Sequence, residues 1–285
     1  MSNRLENAAR LAAARGQLGV LLPMSLPPYT YTMDFADMLV DIGADILFIP
    51  FMTPAVRMPW MMGGTEQIVD HQAYEQGITS DMNWEIVSRV RTKYPEKPII
   101  VVSFFNDVLA YGVERFVDRC RACGVDGIDT PGYSAITNQD CFRYSEKLLR
   151  AGSGLIHPIS TELATAPAGS REYELLADML KAGHGFVFLM TDSAGKSGAT
   201  GHMPVDQMRP AVERIRAVQK AVGNPLPIIT VCGVASAENA AEAVCQAGTD
   251  GVMLASAVIR KILAGDPLEQ IGAYLGGMLH AMEKG

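Results

Sequence analysis

The sequence predicts an α/β chain folded as a (β/α)8 TIM barrel, and three observations carry that expectation. Short β-rich runs alternate with helix-like segments from end to end, the order that builds a parallel sheet. Most of those runs are continuously apolar rather than alternating, which marks strands covered on both faces. Eight such β-α units close a barrel, and 285 residues suit one domain spanning 1–285. An open doubly wound sheet is the other candidate, but no Gly-x-Gly-x-x-Gly follows the first strand.

In order, the chain opens on MSNRLENAARLAAARGQ, charged and helical in pattern, without the apolar stretch of a secretory signal. The strand candidates are LGVLLPM (18–24), ILFIPF (46–51), PIIVVSF (98–104) and GVDGIDT (124–130). GLIHPI (154–159), GFVFLMT (185–191), PIITVCG (227–233) and GVMLAS (251–256) complete the set. Between them, ERFVDRCRACG, REYELLADMLKAG and AENAAEAVCQAG carry helical patterns that end in Gly, a common helix stop. Two Gly-rich stretches, PWMMGGTEQ (59–67) and DSAGKSGATGHMP (192–204), read as mobile loops. Loops that follow strands lie on the catalytic face of a barrel, where they can close over a ligand.

Composition removes several function classes. A formal net charge of −7 disfavours nucleic acid and anionic membrane as partners, since both need a basic face. No apolar run reaches the roughly 20 residues that span a bilayer. Five cysteines in a chain this long read as reduced thiols of a cytoplasmic protein rather than a disulfide scaffold. Cys120 and Cys123 form a CxxC inside a helical pattern with no second pair, so they read as helix-face thiols. His71, His184, His202 and His280 share no ligand spacing, and neither a metal nor a cofactor is expected. AGKSG (194–198) lacks the first glycine of a P-loop, Met190 standing there, so Lys196 is read as a solvated loop lysine.

The candidate site residues sit at predicted strand ends. VCGVAS (231–236) opens a helix after strand seven, and LASAVIRKI (254–262) does so after strand eight. Backbone N–H groups and helix N-termini at these two places bind phosphate in many barrels. Gly233 would let the backbone approach and Ser256 would donate a hydroxyl; the alternative is that both only shape turns. Asp129 ends an apolar strand, where a carboxylate needs a partner or a ligand. It is a candidate general base or a turn cap. His157 ends strand five as a proton shuttle or a packed histidine. Arg57 would pair with an anionic substrate group or lie on the surface.

With these residues placed, the chain resembles the tryptophan synthase alpha subunit family over almost its whole length. The matching segments, in family order, are IPF-x-x-P (49–54), FFNDVLAYGVERF (104–116), GVDGIDTPG (124–132), GFVFLMT (185–191), ATG (199–201), GVAS (233–236) and ASAV (255–258). The resemblance implies a (β/α)8 barrel and a phosphate site near Gly201, Gly233 and Ser256, although Ala255 replaces the family glycine. It also implies ligand contacts for Phe104, Asn106 and Phe188, the last in place of a family tyrosine.

The departures fall on the chemistry. The family cleaves indole-3-glycerol phosphate with a glutamate on strand two and an aspartate in the following loop. The glutamate position is Ile46 counted back from Pro50–Phe51, or Phe48 counted forward from Gly43-Ala44-Asp45. The loop aspartate corresponds to Arg57, and the serine and aspartate of the family's PFSDP are Met52 and Thr53. Two functions are therefore expected as alternatives. One is a lyase of aldolase type acting on a small phosphorylated molecule other than indole-3-glycerol phosphate, with Asp129, His157 and Arg57 as catalytic residues. The other is a non-catalytic homologue that binds such a ligand and a β-like subunit. A homodimer is a further candidate assembly.

Overall fold

The computed structural model describes residues 4–23, 29–52, 64–191 and 203–283. Strands β1 (Gln17–Leu21), β2 (Ile46–Pro50), β3 (Ile99–Val102), β4 (Gly127–Asp129), β5 (Gly154–Ser160), β6 (Val187–Met190), β7 (Ile228–Val231) and β8 (Gly251–Leu254) pair in parallel in sequence order. β8 returns to β1, with Gln17 opposite Gly251 and Val20 opposite Leu254, so the sheet is a closed barrel. The expected (β/α)8 barrel is the observed fold.

The helices are α1 (Arg4–Leu11), α2 (Tyr29–Asp41), α3 (Gly64–Glu75), α4 (Ser80–Lys93), α5 (Phe105–Tyr111), α6 (Val113–Ala122) and α7 (Tyr144–Arg150). They continue with α8 (Thr161–Ala164), α9 (Arg171–Ala182), α10 (Val205–Val222), α11 (Ala237–Ala241), α12 (Ser256–Leu263) and α13 (Leu268–Ala281). A 3-10 turn at Cys141–Arg143 precedes α7, and a π turn at Glu242–Gln246 extends α11. One expectation is corrected here: Gly64–Gln67, read as part of a loop, is the first turn of α3. No described helix is long and apolar enough to cross a membrane.

The pleat sorts every strand into two faces. Leu18, Leu47, Ile99, Ile128, Leu155, Val187, Ile228 and Val252 pack outward in the large core beneath the helices. Ile46, Phe48, Ile100, Ile156, Phe188, Ile229 and Met253 alternate with them and fill the lumen in a separate cluster. Both faces are apolar because both are covered, which is why the strands read as unbroken hydrophobic runs.

Three aspartates tie down the N-terminal end of the barrel. Each stands one residue before a strand and accepts the first N–H of the neighbouring strand or the one beside it. Asp45 bonds Leu18 N at 2.9 Å, Asp126 bonds Ile99 N at 2.9 Å and Asp250 bonds Ile228 N at 2.8 Å. Each also holds arginine: Arg15 with Asp45, Arg4 and Arg91 with Asp126, and Arg216 with Asp250. Leu5 of α1 reaches past this layer into the lumen cluster and closes the floor.

Candidate active site

β4 is short, and glycine places its only carboxylate. A Cβ on Gly127 would stand 2.9 Å from Ile100 Cδ1 and 3.3 Å from Ile156 Cδ1, both lumen side chains. Gly127 therefore faces the lumen, and so does Asp129 two residues on. Asp129 ends the strand level with Val102 and Ile156, and its carbonyl accepts Ser103 N at 2.9 Å. Its carboxyl makes no hydrogen bond or ion pair with a described residue, and the residue is 9% exposed. Burial alone pushes the carboxyl up to about 7.

The same alternation assigns the rest of the mouth. Leu21, Pro50, Val102, Met190 and Val231 end β1, β2, β3, β6 and β7 on the lumen face, and Ser160 ends β5 there. Among the described lumen-facing strand residues, Asp129 is the one charged group.

β2 offers no acid at either candidate position. Ile46 and Phe48 both face the lumen and both belong to its apolar cluster, so the two ways of counting lead to the same chemistry. Phe48 stacks on Phe188 at 5.6 Å, and Phe186 stands edge-on at 6.0 Å from Phe48 and 5.0 Å from Phe188. Phe48 also lies across β1, where a Cβ on Gly19 would be 2.3 Å from its ring. This aromatic floor was missed at the level of sequence, although an isolated glycine inside the apolar run LGVLL is a signal of close approach.

His157 shares its side of β5 with Leu155 and Ile159, which pack in the outer core, while Ile156 faces the lumen. The imidazole thus points away from Asp129, into the layer between strand and helices. It is 2% exposed and its Nδ1 is buried without a partner. Burial first, and His184 second, hold it down at about 4, so it is neutral at pH 7.

Gly233 follows β7 in a tight turn, with φ of 80° after Cys232 at 69°. The next helix start is satisfied internally: Ser236 Oγ accepts Asn239 N at 3.2 Å, and Asn239 Oδ1 accepts Ala235 N at 3.2 Å. α12 differs. Its cap residue, Ala255, supplies no side-chain acceptor, and the buried Ser256 hydroxyl bonds no described residue. Its first N–H groups are the kind left open at any uncapped helix start. Phe104 caps α5 from a buried position, whereas Asn106 is exposed on that helix. Phe188 belongs to the floor. Arg57, Gly201, Thr53 and Lys196 lie outside the described residues.

The barrel with this mouth matches a known family. The family model for the tryptophan synthase alpha chain covers residues 13–275, from before β1 to within α13. The chain belongs to the tryptophan synthase alpha chain family. It is 30% identical to the tryptophan synthase alpha chain of Shewanella amazonensis over 268 residues, 92% of this chain and 91% of the relative. Against that of Vibrio parahaemolyticus the identity is 30% over 258 residues, 86% and 85% of the two chains. Among solved structures, the alpha subunit from Legionella pneumophila superposes with a TM-score of 0.80 at 21% identity, over 99% of each chain. A tryptophan synthase structure from Mycobacterium tuberculosis gives 0.80 at 23% identity, over the whole of both chains. Membership in the tryptophan synthase alpha chain family was legible from the ordered segments; the lumen-facing geometry of β2 and β4 was not.

Proposed function

We propose that this barrel is a lyase of aldolase type acting on a small phosphorylated molecule, with Asp129 as its acid–base group. One observation carries the proposal: Asp129 is the one charged group among the described lumen-facing strand residues, is buried, and is pushed up to about 7. A carboxyl with that pKa is present in both forms at neutral pH, which suits general acid–base work. In an aldol cleavage, the carboxylate takes the proton of a hydroxyl as the adjacent C–C bond breaks. The hydroxyl carbon becomes a carbonyl, the electron pair leaves with the other carbon, and the protonated Asp129 returns its proton there. One group closes the proton balance.

The open start of α12, with Ser256 and the turn at Gly233, supports a phosphate at the β7–β8 side of the mouth. In a closed ring of eight strands, β8 stands opposite β4, so a substrate held at both ends crosses the mouth. Indole-3-glycerol phosphate is not the expected substrate, because Ile46 and Phe48 leave β2 without an acid. Arg57 retains its proposed role toward an anionic group. His157, turned away from the lumen, is left out of the chemistry. A β-like subunit, or a second copy of this chain, is the proposed partner. The apolar β2 face also favours a second reading, a non-catalytic homologue that binds ligand and partner alone.

The test is an assay of wild type and Asp129→Asn on indole-3-glycerol phosphate and on a panel of phosphorylated aldols. No indole release is expected. Turnover of a panel member should fall by about 10²–10⁴-fold in the variant. Indole release by wild type that survives Asp129→Asn would overturn the proposal, and binding of a panel member without turnover would leave the second reading.

A further inference from the structure

Strand register shows where the open mouth of the barrel ends. In a closed barrel of eight strands, a layer takes one side chain from every other strand. Phe48 pairs with Ile100 and Ile100 with Gly127, and two residues beyond Gly127 stands Asp129. The same step leads from Asp129 past Ile156 to Phe188, and from Phe188 past Ile229 to Met253. From Met253 it passes Gly19 and returns to Phe48. Phe48, Asp129, Phe188 and Met253 therefore share one layer, and the Phe48–Phe188 stack at 5.6 Å lies within it.

This layer divides the lumen. Its four members are buried, and so are Ile100, Ile156 and Ile229 beneath it, where the Phe48 ring covers Gly19. Leu21, Val102, Pro158 and Val231, in the layer above, are all half-buried. Solvent thus reaches down to the upper side of the Asp129 layer and stops there. Asp129 is at the bottom of the mouth rather than on its wall, with a phenylalanine on either side.

That position limits the substrate. A hydroxyl that gives its proton to Asp129 sits at the innermost end of the molecule. Room beyond it for further carbons requires packed side chains to move. The surrounding groups are also apolar, so a second hydroxyl or a phosphate at that end loses its water and gains no partner. The phosphate belongs at the outer end, by the start of α12.

We infer that the hydroxyl carbon of the substrate carries only hydrogen or a methyl group, so that formaldehyde or acetaldehyde is released and the phosphate stays with the ketone. The inference rests on the aldol cleavage proposed for Asp129 and names its substrate class, a phosphorylated β-hydroxy ketone with a short, uncharged aldehyde end. The bond between the hydroxyl carbon and the α-carbon breaks, and its electron pair forms the enolate of the ketone. The proton that Asp129 took from the hydroxyl returns to the α-carbon. Phe48 and Phe188 set the length of the aldehyde end.

Four ketose phosphates that share a dihydroxyacetone phosphate half test this, release of that half being the common readout. Erythrulose 1-phosphate would give formaldehyde, and 5-deoxyxylulose 1-phosphate acetaldehyde. Fructose 1-phosphate would give glyceraldehyde, and fructose 1,6-bisphosphate its phosphate ester. One of the first two should have the highest kcat/KM, and the last two should lie about tenfold or more below it, as expected for a pocket without space for the extra groups. Phe188→Ala, with Phe48→Leu as the milder variant, should raise fructose 1-phosphate about tenfold relative to the short substrates. A wild-type preference for either fructose phosphate overturns the inference and leaves aldol cleavage standing. So does a preference that neither variant changes while the short substrates still turn over. So does release from none of the four when another phosphorylated aldol is cleaved in a way that Asp129→Asn abolishes. Cleavage of no aldol at all overturns both the inference and the chemistry beneath it.

Discussion

Asp126 and Asp129 are three residues apart in the sequence GVDGID and lie at opposite ends of the same short strand. Asp126 is enclosed by partners: Arg91 at 2.7 Å, Arg4 at 2.9 Å and the N–H of Ile99 at 2.9 Å. Asp129 is also buried, yet its carboxyl meets no described partner and is pushed up to about 7. The two ends of the barrel treat the same side chain differently. At the floor a carboxylate is compensated by arginine and fixes strand positions; at the mouth it is left uncompensated and so can exchange a proton near neutrality.

The largest effect should come from breaking the floor. Asp126→Ala leaves two guanidinium groups and a strand N–H without their acceptor, and should cost about 3–5 kcal/mol in urea unfolding. A loss below about 1 kcal/mol would erase the contrast. At the mouth the sign reverses. An aspartate in the unfolded chain titrates near 4 and Asp129 near 7. The folded state thus keeps a proton that the unfolded state releases between these values. Stability from Asp129 is fully present below about pH 4 and is lost as pH rises to about 7. Asp129→Asn should therefore be more stable than wild type at pH 8 by about 2–4 kcal/mol, and nearly equal to it at pH 4. Unfolding curves at the two pH values check this, and a difference that does not change with pH would mean that Asp129 is not protonated near neutrality.

Smaller effects sharpen the picture between the ends. Gly19→Ala would drive a Cβ into the Phe48 ring and should cost about 1–3 kcal/mol. Adding Phe48→Leu should recover part of that loss, measured as a coupling in a double-mutant cycle. Asp250→Asn should cost the least, about 1 kcal/mol or below. Its side chain is 30% exposed and that of its partner Arg216 is 46% exposed. If it cost as much as Asp126→Ala, burial would not be what ranks the floor aspartates.

The strands were legible because parallel strands covered on both faces are apolar throughout. Their ends were not: LGVLLPM, ILFIPF, PIIVVSF and PIITVCG each run past the strand bounds, because apolar residues such as Phe51 continue the pattern into side-chain packing. Phe51, one residue past β2, still donates its N–H to Val102 O at 2.8 Å, and its ring lies tilted 5.2 Å from Trp84 and edge-on 5.1 Å from Phe116. The same uniformity hides which way a side chain points. In an alternating strand His157 would have declared its face; in GLIHPI both neighbours are apolar, and only the pleat shows that Ile156 faces the lumen and His157 does not. Asp129 could be placed at a strand end from sequence, but its isolation depends on seven other strands. Gly64–Gln67 read as loop because two glycines outweigh a helix start that tertiary packing supplies.

Leu5 has one more consequence. It enters the lumen cluster, and a Cβ on Gly185 would be 2.8 Å from its Cδ1, while Arg4 beside it holds Asp126. Neither seat exists until β4 and β6 stand in the same ring. The helix that precedes every strand in the chain is therefore a stopper that can be fitted only once the cask is closed, and it waits for the rest of the chain before it has anywhere to dock.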